Sequence, residues 1–337
     1  MRILSGVQSS GKLHIGNYFG AIRQFIELQD RGEALYFIAN LHALTSVRDA
    51  PLQRQLTLDV ALDFLALGLD PKKSSLFRQS DIAEVTELFW VLSSVTPMGL
   101  LERAHSYKDK IAKGISPDAG LFTYPVLMAA DILIYGSDAV PVGRDQQQHL
   151  EMTRDIATKF NLAFVPGYDA KRDENPETVK VPGILKLPQA FIQDTTAVVP
   201  GVDGQKMSKS YNNTIELFAD DAATKKKIMG IKSDSTPLEA PKDPAASPIH
   251  ALLALFASES EMAEIDRTFR EGGKGYGHYK QQLLELFHAT FDGARARRKE
   301  LEGDRAYVEK VLTDGAEKAR GYAAPIMKQV REATGLA

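Results

Sequence analysis

At 337 residues the chain has room for two domains of ordinary size, or one large domain with an appendix. Its 44% hydrophobic and 25% charged residues are those of an ordinary water-soluble globular protein. The absence of cysteine excludes disulfides, zinc–thiolate sites, iron–sulfur clusters and cysteine nucleophiles. No apolar run approaches the roughly 18 residues of a membrane span, and the N-terminus lacks the apolar segment and cleavage site of a signal peptide, so a cytoplasmic location and no membrane partner are expected. With a net charge of −3, any nucleic-acid partner must be met by a local basic face.

In chain order, residues 2–7 read as a buried strand, Gln8-Ser9-Ser10-Gly11-Lys12 as a loop and residues 17–28 as a helix. The loop imitates G-x-x-x-x-G-K, but Leu13 stands where a P-loop needs Ser or Thr to hold Mg²⁺. Residues 34–39 form a second strand that runs into Asn40, Leu41 and His42. Residues 51–67 form a helix with Pro51 in its first turn and Gly68 as its stop. A third strand at 75–79 precedes a helix at 85–94. This alternation predicts a parallel sheet covered by helices, with ligands at the carboxyl ends of the strands. His14 and His42 both follow strands and would face that rim.

Residues 124–133 read as an apolar helix carrying one acid, Asp131, which is expensive to bury without a donor. It is either paired inside the core or accepts a hydrogen bond from a ligand, with small Ala129 and Ala130 leaving room. A strand at 139–142 turns through Gly143, Arg144, Asp145 and Gln146 into a helix ending near Phe160. That turn suits a ribose and an amino group, or is simply a capped helix start. Residues 167–201 read as irregular connections with short strands, where Val198 and Val199 offer an apolar surface to a base. Lys108 and Lys110 read as a solvated charge cluster.

Beyond Asn213 the alternation stops. Helices are expected at 220–229, 249–258, 262–270, 276–291 and 304–334, giving a mostly helical second region. Lys274 lies in a glycine-rich stretch with no preceding strand, read as a turn between helices. Arg295, Arg297, Arg298 and Lys299 crowd one segment, either as a contact to RNA phosphate or as a solvated face.

Two short stretches at opposite ends of the first region organise this reading. Lys206-Met207-Ser208-Lys209-Ser210 sets two lysines around small hydroxyls, in a loop expected to be kept mobile by Gly201, Asp203 and Gly204. Such a loop suits a clamp for phosphate oxygens. His14-Ile15-Gly16-Asn17, at a helix start, supplies an imidazole and backbone N–H groups for the opposite wall. Alone, each also reads as a solvated loop or a strand-to-helix turn.

As a pair in this order they are similar to the two signatures of class I aminoacyl-tRNA synthetases. Together with G-L-F-T-Y-P-V-L-M-A-A-D-I-L at 120–133, P-V-G-R-D-Q-Q-Q-H at 141–149 and the late G-K-G-Y-G, they make the chain resemble the tryptophanyl-tRNA synthetases along nearly its full length. The tyrosyl enzymes share the fold and both signatures but do not usually show M-A-A-D-I-L.

The resemblance implies an α/β fold: a Rossmann-like parallel sheet with helices on both faces over residues 1–205, then the signature loop and a helical, anticodon-side region over 206–337. It implies ATP-dependent activation of L-tryptophan, transfer to tRNA, Mg²⁺ carried mainly by the ATP phosphates with no protein metal site, and a homodimer. His14, Lys110, Lys206 and Lys209 would be catalytic. Gln8, Ser9, Ser10, Gly16, Asn17, Gly143, Arg144, Asp145, Val198, Met207, Ser208 and Ser210 would contact ATP. Asp131 would accept the indole N–H in a pocket also drawing on Leu4, Gly6, Gln8, His42, Tyr124, Met128, Val140, Val142 and Gln146. Leu4, Asn40, Leu41 and Arg144 differ from residues common in that family. The alternatives are a tyrosine-specific enzyme of the same fold and a paralogue kept for RNA binding or regulation. Loss of His14, Lys206 or Lys209 would have marked the latter, and all are present.

Overall fold

A computed structural model describes residues 1–104, 107–108, 118–141, 143, 147–173, 180–191 and 199–337. Its centre is a parallel sheet in the order β3-β2-β1-β4-β5, with β1 Arg2–Val7, β2 Glu33–Ile38, β3 Ser74–Arg78, β4 Ala139–Pro141 and β5 Gln189–Phe191. The run Ala34 to Ile38 is buried throughout, as expected of a strand covered on both sides. Its side chains alternate faces. Ala34, Tyr36 and Ile38 join one hydrophobic cluster, while Leu35 and Phe37 join the other. Strand order reverses between β1 and β4, so the crevice at their carboxyl ends is the topological switch point where such sheets hold ligands.

The helices follow their sequence signals closely. Ala50–Ala66 begins at Asp49, whose carboxylate accepts from Leu52 N–H at 2.7 Å, and has Pro in its first turn. Glu84–Val95, Ala119–Leu133 and Gln147–Phe164 pack on one another over the second sheet face. The helix expected at 17–28 is interrupted: Ile15–Asn17 and Arg23–Leu28 are joined by a π-helical turn, Tyr18–Ile22. After residue 213 come Asp221–Met229, Pro248–Phe256, Glu259–Glu271, Tyr276–Gly303 and Arg305–Thr334. The glycine-rich stretch around Lys274 is a turn between helices. Gly272 sits at φ +82°, where a Cβ would lie 2.2 Å from the Glu239 carbonyl oxygen.

The helices beyond residue 206 do not form a separate core. Arg305–Thr334 contributes Val308, Val311 and Leu312 to the first cluster, then Ala316, Ala319, Ala323, Met327 and Val330 to the second. It therefore crosses the outer edge of β3. The crossing point is Gly315, where an added Cβ would sit 2.1 Å from the Leu76 carbonyl oxygen, closer than any side chain allows.

Candidate active site

The first wall of the crevice is the turn after β1. Ser9 is fully buried, and Thr57 Oγ1 lies 3.4 Å from its Oγ. Gln8 donates through Nε2 to the His42 carbonyl at 3.2 Å, and Ser10 N–H bonds back to the Gln8 carbonyl. Lys12 points away, ion-paired with Glu216 at 3.2 Å, which is consistent with the rejection of a P-loop. Residues 13 and 15 then pair with the chain beyond the lysine loop: Leu217 N–H to the Leu13 carbonyl at 3.1 Å, and Ile15 N–H to the Ile215 carbonyl at 3.0 Å. This antiparallel bridge brings the two signatures together across some two hundred residues of sequence.

Their contact is close. A Cβ on Gly16 would stand 3.0 Å from His14 Nδ1 and 3.4 Å from Met207 Cβ. Asn17 Oδ1 accepts the His14 N–H at 3.1 Å. The His14 imidazole is 6% exposed and its Nδ1 has no hydrogen-bond partner among the described residues, which leaves a buried polar atom beside the space Gly16 keeps open. Burial, and secondarily the charge of Lys209, lower its pKa to about 4, so it is neutral near pH 7. Lys209 itself lies over Gly11, at φ +137°, and desolvation holds its pKa below the ordinary lysine value against the opposing pull of Asp63 and Glu216.

The lysine loop is built more tightly than its glycines predict. Asn213, 1% exposed, accepts from Ser208 N–H at 2.8 Å and donates to Asp203 Oδ1 at 2.8 Å and to the Lys206 carbonyl at 3.1 Å. Asp203 also accepts from Gln205 N–H, and Met207 is buried with its N–H on the Val199 carbonyl. Gly201 is needed because a Cβ there would lie 2.3 Å from the Asn213 amide, not because the loop must move. Lys206 and Lys209 are thus displayed from a pinned turn. Ser208 Oγ accepts the Ser210 N–H, and Asn212 takes φ 51° to close the turn.

A buried acid is bonded to the ends of β2 and β3 through His42 and Gln79. Asp131 is 1% exposed, and burial raises its pKa against the opposing hydrogen bonds of His42 and Gln79. His42 Nε2 is 2.8 Å from Oδ2, and Gln79 Nε2 is 2.8 Å from both oxygens. Leu4 and Val140 are buried in the second cluster, Met128 is partly buried on the helix that carries Asp131, and the Tyr124 ring meets that of His42 edge-on at 6.3 Å. The Tyr124 hydroxyl bonds to His149 Nε2. Gly6 faces Phe37: a Cβ on Gly6 would lie 2.4 Å from that ring. Gln79, Asn213 and Phe37 were missed from sequence; a glutamine at a strand end and an asparagine after a loop carry no periodic signal. Gly143 follows β4. Lys110, Val142, Arg144, Asp145, Gln146 and Val198 lie outside the described residues.

The basic segment near the end of the chain is not a row of free cations. Arg298 is tied through Nε to Asp63 at 2.6 Å and through Nη2 to Asp59 at 2.8 Å, with Glu302 also bonded. Arg295 pairs with Asp221 at 2.8 Å. Both join the Tyr276–Gly303 helix to earlier elements. Arg297, bonded to Glu300 at 3.1 Å, and Lys299 remain exposed.

A parallel sheet with its switch point between β1 and β4, and two signature stretches bridged to each other beside it, are the frame of a class I aminoacyl-tRNA synthetase. The family profile of class I tRNA synthetases (W and Y) matches residues 1–292, and the chain belongs to that family. It is 52% identical to the tryptophan–tRNA ligase of Fusobacterium nucleatum, over 99% of this chain and 98% of that one. It is 52% identical to that of Rhodopirellula baltica over the full length of both. Among solved structures, tryptophanyl-tRNA synthetase from Campylobacter jejuni, complexed with ADP and tryptophan, superposes with a TM-score of 0.88 at 48% identity, covering 99% of this chain and 100% of that one.

Proposed function

We infer that this chain is a tryptophan–tRNA ligase: it activates L-tryptophan with ATP to the adenylate, releases pyrophosphate, and transfers the aminoacyl group to tRNA, releasing AMP. The observation that carries the reading is Asp131, a buried carboxylate bonded to His42, whose carbonyl accepts from Gln8 in the turn after β1. The matching chains at about half identity over their full length support it. In the activation step the tryptophan carboxylate attacks the α-phosphorus and no side chain becomes covalently attached. Catalysis is therefore positioning and charge stabilisation.

The roles of individual residues are our proposal. Neutral His14 donates a hydrogen bond toward the phosphates. Lys206 and Lys209, with Lys110, meet their charge. Ser9, Ser10, Gly16, Asn17, Gly143, Arg144, Asp145, Val198, Met207, Ser208 and Ser210 contact ATP. Gln8 stands between nucleotide and amino acid. Asp131 accepts the indole N–H in a pocket with Leu4, Gly6, Met128, Val140 and Val142, while His42, Tyr124 and Gln146 hold the ammonium and carboxylate.

In this reading Mg²⁺ rides on the ATP phosphates. Residues 206–337 face the anticodon side of tRNA. A homodimer in the cytoplasm completes the proposal. Trp90, 73% exposed, with exposed Met98 and Leu162, offers apolar surface for the partner, and no helix among the described residues is long and apolar enough to cross a membrane. Amino-acid-dependent ATP–pyrophosphate exchange tests the central claim: tryptophan supports exchange and tyrosine does not. Exchange driven by tyrosine would overturn it.

A further inference from the structure

Gln79 sits at the end of β3, in the short turn Gln79–Asp81, and is 1% exposed. Its amide is used on both sides. Nε2 donates to Asp131 Oδ1 and Oδ2, each at 2.8 Å, and Oε1 accepts from Leu41 N–H at 3.0 Å and His42 N–H at 3.4 Å. The His42 ring returns to Asp131 Oδ2 at 2.8 Å. Three elements that sequence separates, the start of Asn40–Ala43, the end of β3 and the Ala119–Leu133 helix, are thereby closed into one ring of hydrogen bonds.

We propose that Gln79 is a positioning residue for tryptophan selection, holding the Asp131 carboxylate and His42 in one fixed relation so that the acceptor is presented already aimed into the pocket. The proposal rests on reading Asp131 as the indole acceptor. The choice of residue follows from the chemistry. A carboxylate has about four lone-pair sites, and a neutral amide occupies some of them without cancelling the charge that attracts an indole N–H. A lysine or arginine here would neutralise the acid and a glutamate would repel it. An asparagine, one methylene shorter, would not span the gap between the Asp131 carboxylate and the backbone of Leu41. The orientation of the amide follows from its surroundings, since only its NH₂ side can face a carboxylate. Without this strut, Asp131 would face its desolvation with His42 as its one remaining side-chain donor among the described residues.

The test compares wild type, Gln79→Met and Asp131→Asn in ATP–pyrophosphate exchange, using tryptophan and the analogue in which sulfur replaces the indole nitrogen. Gln79→Met keeps the volume and removes every hydrogen bond. It should lower kcat/KM for tryptophan by roughly ten- to a hundredfold, on the scale of a hydrogen bond to a charged group. It should change the sulfur analogue by only a few-fold, mostly through KM. The acid limb of the tryptophan kcat/KM profile should move to higher pH, a change a purely structural defect would not produce. Gln79→Asn, which keeps an amide but withdraws it, should fall between the two and serves in place of Gln79→Met if that variant fails to melt cooperatively. If Asp131→Asn leaves selectivity against the analogue intact, the reading of Asp131 fails. If Asp131→Asn abolishes selectivity while the folded Gln79 variant keeps both selectivity and acid limb, Asp131 stands and the role given to Gln79 is overturned.

Discussion

Lys209 lies along the space that Gly11 leaves open: from the position a Cβ would take, its Cδ is 3.3 Å away and its Nζ 3.4 Å. One signature lysine thus rests on the turn before the other signature, and the φ of +137° at Gly11 permits it.

Gly11→Ala should therefore slow adenylate formation by about tenfold, through backbone strain of order 1–3 kcal/mol and displacement of Lys209, with little change in KM for tryptophan. Lys206→Ala and Lys209→Ala should cost more, roughly 2.7–4 kcal/mol in rate by analogy with an oxyanion-hole donor. Single-turnover adenylate formation beside equilibrium tryptophan binding separates these effects. Equal losses in both would remove the phosphate role.

Arg298→Ala should act on stability rather than on tRNA. Arg298 carries the ion pairs that hold the Tyr276–Gly303 helix to Asp59 and Asp63, so its loss should lower the unfolding free energy. Arg297→Glu with Lys299→Glu should instead raise KM for tRNA and reduce its salt dependence, while leaving pyrophosphate exchange alone. Denaturant melts and tRNA-dependent kinetics on both variants check the split; a raised tRNA KM for Arg298→Ala at full stability would reverse the assignment.

Two buried groups give opposite pH slopes. Burial raises the Asp63 pKa from 3.8 to about 7 despite Arg298, so between those values the folded chain holds a proton the unfolded chain has lost. Stability contributed there falls as pH rises from about 4 to 7. His14 runs the other way: its folded pKa of about 4 lies below 6.5, the unfolded chain binds the extra proton, and stability is lost as pH falls through that window. Urea unfolding from pH 4.5 to 8 should show Asp63→Asn removing the first slope and His14→Gln the second. Unchanged slopes in both variants would contradict these environments.

Asp131→Ala should lower kcat/KM for tryptophan by roughly ten- to a hundredfold and narrow its advantage over an analogue with no ring donor, since a charged acceptor contributes about 1.5–3 kcal/mol. Pyrophosphate exchange with both substrates measures it. If the variant loses both equally, Asp131 is a structural acid.

Much of this was readable in the residues. Strand positions, the parallel sheet and the pairing of the two signatures follow from apolar runs bounded by glycine and from lysines around hydroxyls. The suspicion attached to Asp131 needed only one acid in an apolar helix. What escaped reading depends on partners distant in sequence. Arg298 reads from sequence as an RNA contact or a solvated cation because Asp59 and Asp63 are more than two hundred positions away. The lysine loop looked mobile because nothing local announces that Asn213 fills the space beside Gly201. The π-turn at Tyr18–Ile22 leaves an apolar pattern like that of a regular helix. Gln79 has no pattern at all, since its importance lies in facing an amide to two neighbours brought together by the fold.

The passage of the Arg305–Thr334 helix over the rim of β3 bears on how the chain is made. Until that segment leaves the ribosome, β3 ends the sheet with its outward N–H and C=O groups bare, the arrangement that invites one chain to add its strand to another. The helix then covers this rim, with Gly315 admitted to the Leu76 backbone because it carries no side chain. A nascent chain halted before Gly315 would already contain both signatures and the buried acid, yet it would be adhesive. Protection from self-association arrives only once the Arg305–Thr334 helix has been made.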